Sequence, residues 1–406
     1  GGPGHGVQVH GFLHSRGRGG RGCCNRAILV AAARLGAGLI LLPPDLTPQP
    51  NGADLPGHGF SPQWIQRLLA PVREHKQDLA VPYFSHDPLA RSVESLFAYP
   101  VVTGVYGFRL RQPTPGVFSL SPRLVRSCLA ANQSWALNPG SYGFDPWLIS
   151  HTLTEEYSIC EVPLGAAAFE HRIGKIKTAF RQIAHVFFDQ IVEKSKWWLN
   201  RQEPIASPAL LGPMLEVNPA RIAIEPKELL RRFKYEFNHF DNVLLCRIVP
   251  DSLRERMDRL ADTGPNGVAL TAEEWVDVLV DFLIAFRFEK QFHRDDIVDA
   301  LFPFFLARLA GFIYEVRSVE NELTSGGRLD AATTGVLVRL GAERILERQA
   351  DRFVASWPRL RQKWHERESE AEPYLPQLGA WEFVPHVGVI LPQELKARDG
   401  ATVFAR

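Results

Sequence analysis

The sequence predicts an α/β fold: a doubly wound mixed sheet that gives way near residue 174 to a largely α-helical domain. Two observations carry this. Up to about residue 174, short apolar strand-like runs alternate with amphipathic helices, beginning with a helix–turn–strand unit over 25–42. After Lys175 the strand signals nearly vanish, and apolar stripes at helical spacing take over. A length of 406 residues suits two domains. The expected division is a Gly/Arg-rich leader over 1–22, a sheet domain over 23–174 and a helical domain over 175–406.

Composition bounds the partners. Apolar residues make up 45% and charged residues 22%, which is a globular balance and not a disordered one. A formal charge of +1 provides no global field for nucleic acid or an anionic membrane, so any anion must be held locally. The run Leu35–Pro44 is far shorter than the roughly 20 residues a membrane-spanning helix needs, so no transmembrane segment is expected. The chain does not open on an apolar core of signal-peptide type. Its five cysteines are scattered without zinc spacing, which fits a reduced, cytoplasmic setting.

The elements follow in order. Asn25–Leu35 reads as a short helix and Ala37–Leu42 as a buried strand, with Gly36 and Gly38 in the turn. Ser61-Pro62 and Ser121-Pro122 each open a helix with a capping serine and a first-turn proline. Asp78–Tyr83, Val117–Leu120 and Tyr157–Val162 read as strands, while Pro88–Tyr106 and Phe144–Leu153 read as helices. Thr271 and Glu274 form a capping box ahead of Trp275, Leu279, Phe282 and Phe286, a stripe expected to be buried against Ile297, Leu301 and Phe305.

Several residues have the chemistry of an anion or metal site. Asp45 follows the apolar strand 39–42, where an acid can hold Mg²⁺ or Mn²⁺ against a diphosphate; an ordinary turn aspartate sits there equally well. His171 follows a strand-like run and can complete a Mn²⁺ shell or simply lie at the surface. Asp145 opens a helix, so it either caps that helix or holds hydroxyls of a substrate. Arg109, Arg111 and Gln112 precede a Pro/Gly turn that can bring backbone amides to an anionic ligand, or they are ordinary charged residues at a strand end.

Taken together, these motifs resemble the glucosylglycerate and mannosylglycerate synthase group of glycosyltransferases, retaining enzymes of GT-A fold. The family's strand ending in Asp-x-Asp-Leu is similar to Pro43-Pro44-Asp45-Leu46, and its next helix to Pro62-Gln63-Trp64-Ile65. Its acceptor loop resembles Arg111-Gln112-Pro113-Thr114-Pro115-Gly116-Val117, its Gly-Ile-Asp helix resembles Gly143-Phe144-Asp145, and its Leu-Gly…His metal motif resembles Leu164-Gly165…His171 with one extra residue. The resemblance implies a nucleotide-sugar donor (UDP- or GDP-hexose) held by Arg21 and Asp45, and a divalent ion on Asp45 and His171. It further implies a small anionic acceptor such as glycerate or 3-phosphoglycerate at Arg111, Gln112, Thr114 and Gly116, with Asp145 near the reacting carbon. A homodimer is compatible with it.

Three departures shape the expectation. Pro43 replaces the first acid of the metal motif, and Val117 replaces the acid of the acceptor loop. The first strand, which in the family holds the nucleotide base, has no counterpart, so weak donor binding and slow turnover are expected. The main reading is therefore a hexosyltransferase; the alternative is a catalytically impaired GT-A-like binding or scaffold protein.

Overall fold

The computed structural model describes residues 21–42, 62–131, 142–166, 175–201, 205–214, 222, 224–239, 242–263, 270–325 and 330–371, and the backbone of 381–383 and 390–392. These residues fall into two compact units, Gly1–Trp357 and Pro358–Arg406.

The first unit opens with helix α1 (Arg21–Arg34), strand β1 (Leu39–Leu41), helix α2 (Pro62–Glu74) and strand β2 (Leu79–Ser85). A continuous helical stretch follows from Glu94 to Tyr106. It is π-helical at Glu94–Ala98 and at Val102–Tyr106, on either side of one α turn, α3 (Tyr99–Val101). Strand β3 (Phe118–Leu120), helices α4 (Pro122–Ala130) and α5 (Phe144–Thr154) and strand β4 (Ile159–Ala166) complete the region in which the sequence alternates.

The sheet is mixed, in the order β1-β3-β2-β4-β5, where β5 is the short pair Ala209–Leu210. Strand β3 runs antiparallel to both β1 and β2, whereas β2, β4 and β5 run parallel. The mixed sheet is the one the sequence calls for, but β5 lies within the region expected to form the largely helical domain. It is two residues long and exposed, so it leaves no apolar run to detect.

Strand alternation builds a core on one side of the sheet. Ala80, Cys160, Val162 and Leu164 pack with Trp64 and Leu68 of α2, and Phe84 and Val117 join the same cluster. Glu161 has the opposite parity to Cys160 and Val162, which places it on the other face. The β2–β4 register shifts between Tyr83 and Phe84, an irregularity that re-aims side chains where β2 ends. Asp78 fastens the start of this layer: it accepts from Ser121 Oγ at 2.8 Å, and its backbone N–H donates to Ser158 Oγ at 2.9 Å. Ser121 also caps α4, accepting from the Leu124 N–H at 3.1 Å.

Beyond β4 the first unit is helical: α6 (Ile176–Glu193), α7 (Ser195–Leu199), α8 (Pro226–Phe237), α9 (Asn242–Ile248), α10 (Asp251–Thr263), α11 (Ala272–Phe288) and α12 (Arg294–Ser325). The capping box at Thr271 and Glu274 is formed in both directions. Trp275, Leu279, Phe282 and Phe286 are buried, as are Ile297, Leu301 and Phe305. The Trp275 and Phe305 rings lie 6.2 Å apart. Helix α12 is long and apolar enough to cross a membrane by composition alone, but 89% of its apolar window is buried among the surrounding helices. It is a core helix of this unit, and the sequence reading overlooked it as an apolar segment.

The last helix, α13 (Ala331–Ala371), contributes its residues up to Trp357 to the first unit. Pro358 lies inside this helix, where its ring removes a backbone donor, and the division between units falls there. The second unit holds the rest of α13 and an antiparallel pair, β6 (Trp381–Phe383) and β7 (Ile390–Pro392).

Candidate functional site

Ligands of open α/β sheets bind beyond the carboxyl ends of parallel strands. Here a cleft of about 650 Å³ opens at that end of β2, lined by Tyr83, Phe84, Ser85 and His86. Its second wall is the helical stretch 94–106, which contributes Ser95 and Tyr99. The widened π-helical turn brings residues four to five apart onto one face, and both residues line the cleft. Its third wall is α13, through Val336, Arg339, Leu340, Glu343 and Leu346.

The predicted loop 111–116 forms the floor, and it is tightly braced. Gln112 is buried; its side-chain amide donates to the Phe84 carbonyl at 2.8 Å and accepts from the Phe84 N–H at 3.1 Å. The Thr114 backbone N–H donates to Glu94 Oε1 at 2.8 Å, and its hydroxyl lies 3.2 Å from the same oxygen. Arg91 binds both Glu94 and the Thr114 carbonyl. Gly116 turns the chain at φ +78°, a conformation that favours glycine. Thr114 and Gly116 therefore shape the loop, whereas Arg111 and Gln112 line the cleft.

Arg111 is the principal cation on the floor. Its guanidinium lies 5.6 Å from the Tyr99 ring centroid and donates to Glu347 at 2.6 Å. Its backbone N–H donates to Glu161 Oε1 at 2.8 Å. Burial pushes the Glu161 carboxyl up to about 7, against the opposing pull of the Arg111 N–H and charge. Tyr83, whose hydroxyl lies 3.5 Å from Glu343, is pushed up to about 12 by burial and by that carboxylate. Burial, with Arg91 nearby, lowers the His86 imidazole, which favours its neutral form. The cleft thus presents the guanidinium groups of Arg111 and Arg339, the Glu343 carboxylate, two neutral phenols, two serine hydroxyls and a neutral imidazole. Such a set recognises oxygen-rich ligands.

The other predicted residues are not among those described as lining the cleft. Asp145 is buried in the first turn of α5 and is not among the described residues lining this cleft. Arg21 begins α1. Asp45 and His171 lie outside the described residues, and among the described residues no group of three or more His, Cys, Asp or Glu side chains can hold a metal ion.

A second cleft, about 500 Å³, lies beside α6 and the start of α12. Its polar groups are occupied by one another: His185 lies 2.9 Å from Asp189 and 3.1 Å from Asp295, and Arg181 pairs with Asp299 at 2.9 Å.

Tyr83, His86, Ser95, Tyr99 and Glu343 were not singled out by the sequence reading. The only signal for Glu343 is a face of α13 that changes character along its length, from Val336 and Leu340 to Glu343 and Glu347.

No protein-family model and no curated protein matches this chain. Among solved structures it is similar to glucosyl-3-phosphoglycerate synthase from Mycobacterium tuberculosis in complex with phosphoglyceric acid, at 20% identity and a TM-score of 0.34. The likeness covers 43% of this chain and 56% of that one, so this chain spans little more than half the length of that enzyme. At that TM-score the likeness fixes neither the fold nor the activity of this chain.

Proposed function

We propose that this chain is a nucleotide-sugar-dependent hexosyltransferase acting on a small anionic acceptor, with the cleft at the end of β2 as its acceptor site. One observation supports this above the others. Arg111 and Gln112, read from sequence as acceptor-binding residues, both line an oxygen-recognising cleft at the carboxyl end of a parallel strand. In this reading the acceptor carboxylate takes the Arg111 guanidinium, exchanging with the half-exposed Glu347, while the Tyr83 and Tyr99 phenols orient its hydroxyl.

The donor diphosphate and its divalent ion, Mg²⁺ or Mn²⁺, belong to Asp45, His171 and Arg21. The ion would neutralise charge developing on the leaving diphosphate. Retention of configuration, with a leaving-group oxygen taking the acceptor proton, follows from the resemblance alone.

The test is nucleoside diphosphate release from UDP-glucose, GDP-glucose or GDP-mannose in the presence of glycerate or 3-phosphoglycerate. Arg111→Ala should raise the acceptor KM at least about tenfold while leaving the donor KM unchanged, since a charge-assisted hydrogen bond contributes about 1.5–3 kcal/mol. Equal effects on both constants would remove Arg111 from the acceptor site.

A second reading, a catalytically impaired binding protein, is favoured by Val117. It stands where the resembling family has an acid, and it is fully buried in the core against α2. Silence with every donor, in the presence of Mn²⁺, would favour that reading.

A further inference from the structure

The cleft is far larger than a three-carbon acid requires, and its lining includes exposed apolar side chains. Its volume of about 650 Å³ falls in the range of sites that enclose drug-sized ligands. The α13 face that borders it carries Val336, Arg339 and Leu340, then Glu343 opposite Tyr83, then Leu346, with Glu347 beyond them on Arg111. From Leu340 to Glu347 is two helical turns, about 10 Å. Val336 and Leu340 are 41% and 48% exposed, and Met214 on the same rim is 54% exposed. Three large apolar side chains left in water at the mouth of one cleft mark surface that a ligand covers.

From these exposed apolar side chains we propose that the acceptor is a hydroxycarboxylic acid bearing an apolar arm. Its carboxylate and hydroxyl lie at Arg111, Tyr83 and Tyr99, and its arm runs along α13 over Leu340 to Met214. This rests on the cleft being the acceptor site. It adds that binding strength is set by the arm and not only by the charged head. A glycerate-sized ligand would leave the apolar end of the cleft in water, whereas an alkyl chain removes both its own surface and that of Leu340 and Met214.

The test is calorimetric titration of the full chain with lactate, α-hydroxybutanoate, α-hydroxyhexanoate and α-hydroxyoctanoate, alongside glycerate. Affinity should rise about two- to fourfold per added methylene, fourfold being the limit for complete burial. Leu340→Gln and Met214→Gln change exposed positions, so the fold should survive, as circular dichroism would verify. They should flatten the chain-length series, so that affinity no longer rises from lactate to α-hydroxyoctanoate. A flat series in the native chain, or an equally steep series in both variants, overturns the proposal. If Arg111→Ala abolishes glycerate binding while chain length has no effect, the acceptor-site reading stands and the apolar arm falls. If no acid binds, glycerate included, the acceptor-site reading itself falls.

Discussion

At Glu161, burial makes stability depend on pH. It lies on the face of β4 away from α2, accepts the Arg111 backbone N–H, and titrates near 7 because burial disfavours its charge. A carboxyl raised in the folded state binds its proton more tightly there than in the unfolded chain. It therefore contributes stability that is fully present below its ordinary value of 4.5 and is lost as pH rises through about 7. The full span corresponds to roughly 3 kcal/mol. Glu161→Gln keeps an acceptor for the Arg111 N–H and removes the titration. Urea unfolding at about pH 5 and about pH 8 should show a smaller difference for the variant than for the native chain. An unchanged difference would mean the group is ionised throughout. The residue could be read from sequence as a strand acid, but its opposite-face burial depends on pairing with β2.

At the scale of elements, the helical stretch 94–106 and α13 are fitted to one another by missing side-chain volume. A Cβ on Gly104 would lie 1.9 Å from Phe353 Cδ1, so the close approach of the two helices depends on glycine. The contact is tied further by Gln349, which donates to the Leu96 carbonyl at 3.0 Å, and by the ion pair between Arg109 and Asp351. Trp275 Nε1 donates to the same Leu96 carbonyl at 2.7 Å, linking α11 to this wall of the cleft. Gly104→Ala should destabilise the chain by about 1–3 kcal/mol. Phe353→Leu should recover part of that loss, so the double variant should be less destabilised than the sum of the two single ones. Strict additivity in thermal or urea melts would show that the helices separate freely. In α11, Phe282 is fully buried with its ring 5.6 Å from that of Phe304. Phe282→Ala should cost about 3–5 kcal/mol, and a near-neutral melt would contradict a packed interior at that position.

For the whole molecule, the activity proposal makes divalent ions necessary. Chelation should stop nucleoside diphosphate release, Mn²⁺ should restore it, and Asp45→Ala should shift the Mn²⁺ needed for half-maximal rate upward by at least about tenfold. Metal-independent transfer would detach Asp45 from the donor. The chain by itself determined its local order. Period-two apolar runs, Ser-Pro helix starts, the Thr271–Glu274 box and the Trp275–Phe286 stripe are short-range patterns, and the corresponding strands and helices form where those patterns lie. The loop at Arg111 and Gln112 was legible for the same reason: its residue types and turn signals are contiguous. What only the tertiary structure decided is which side chains meet. Tyr83, Tyr99, Arg111 and Glu343 come from a strand end, the α turn between two π-helical ones, a loop and a distant helix, and no spacing along the chain relates them. Strand β5 was likewise invisible, because two exposed residues acquire strand geometry only from the β4 edge they join. Local elements answer to backbone propensity and hydrophobic period. The cleft answers to packing, where the sheet register and a single glycine set the distance between walls.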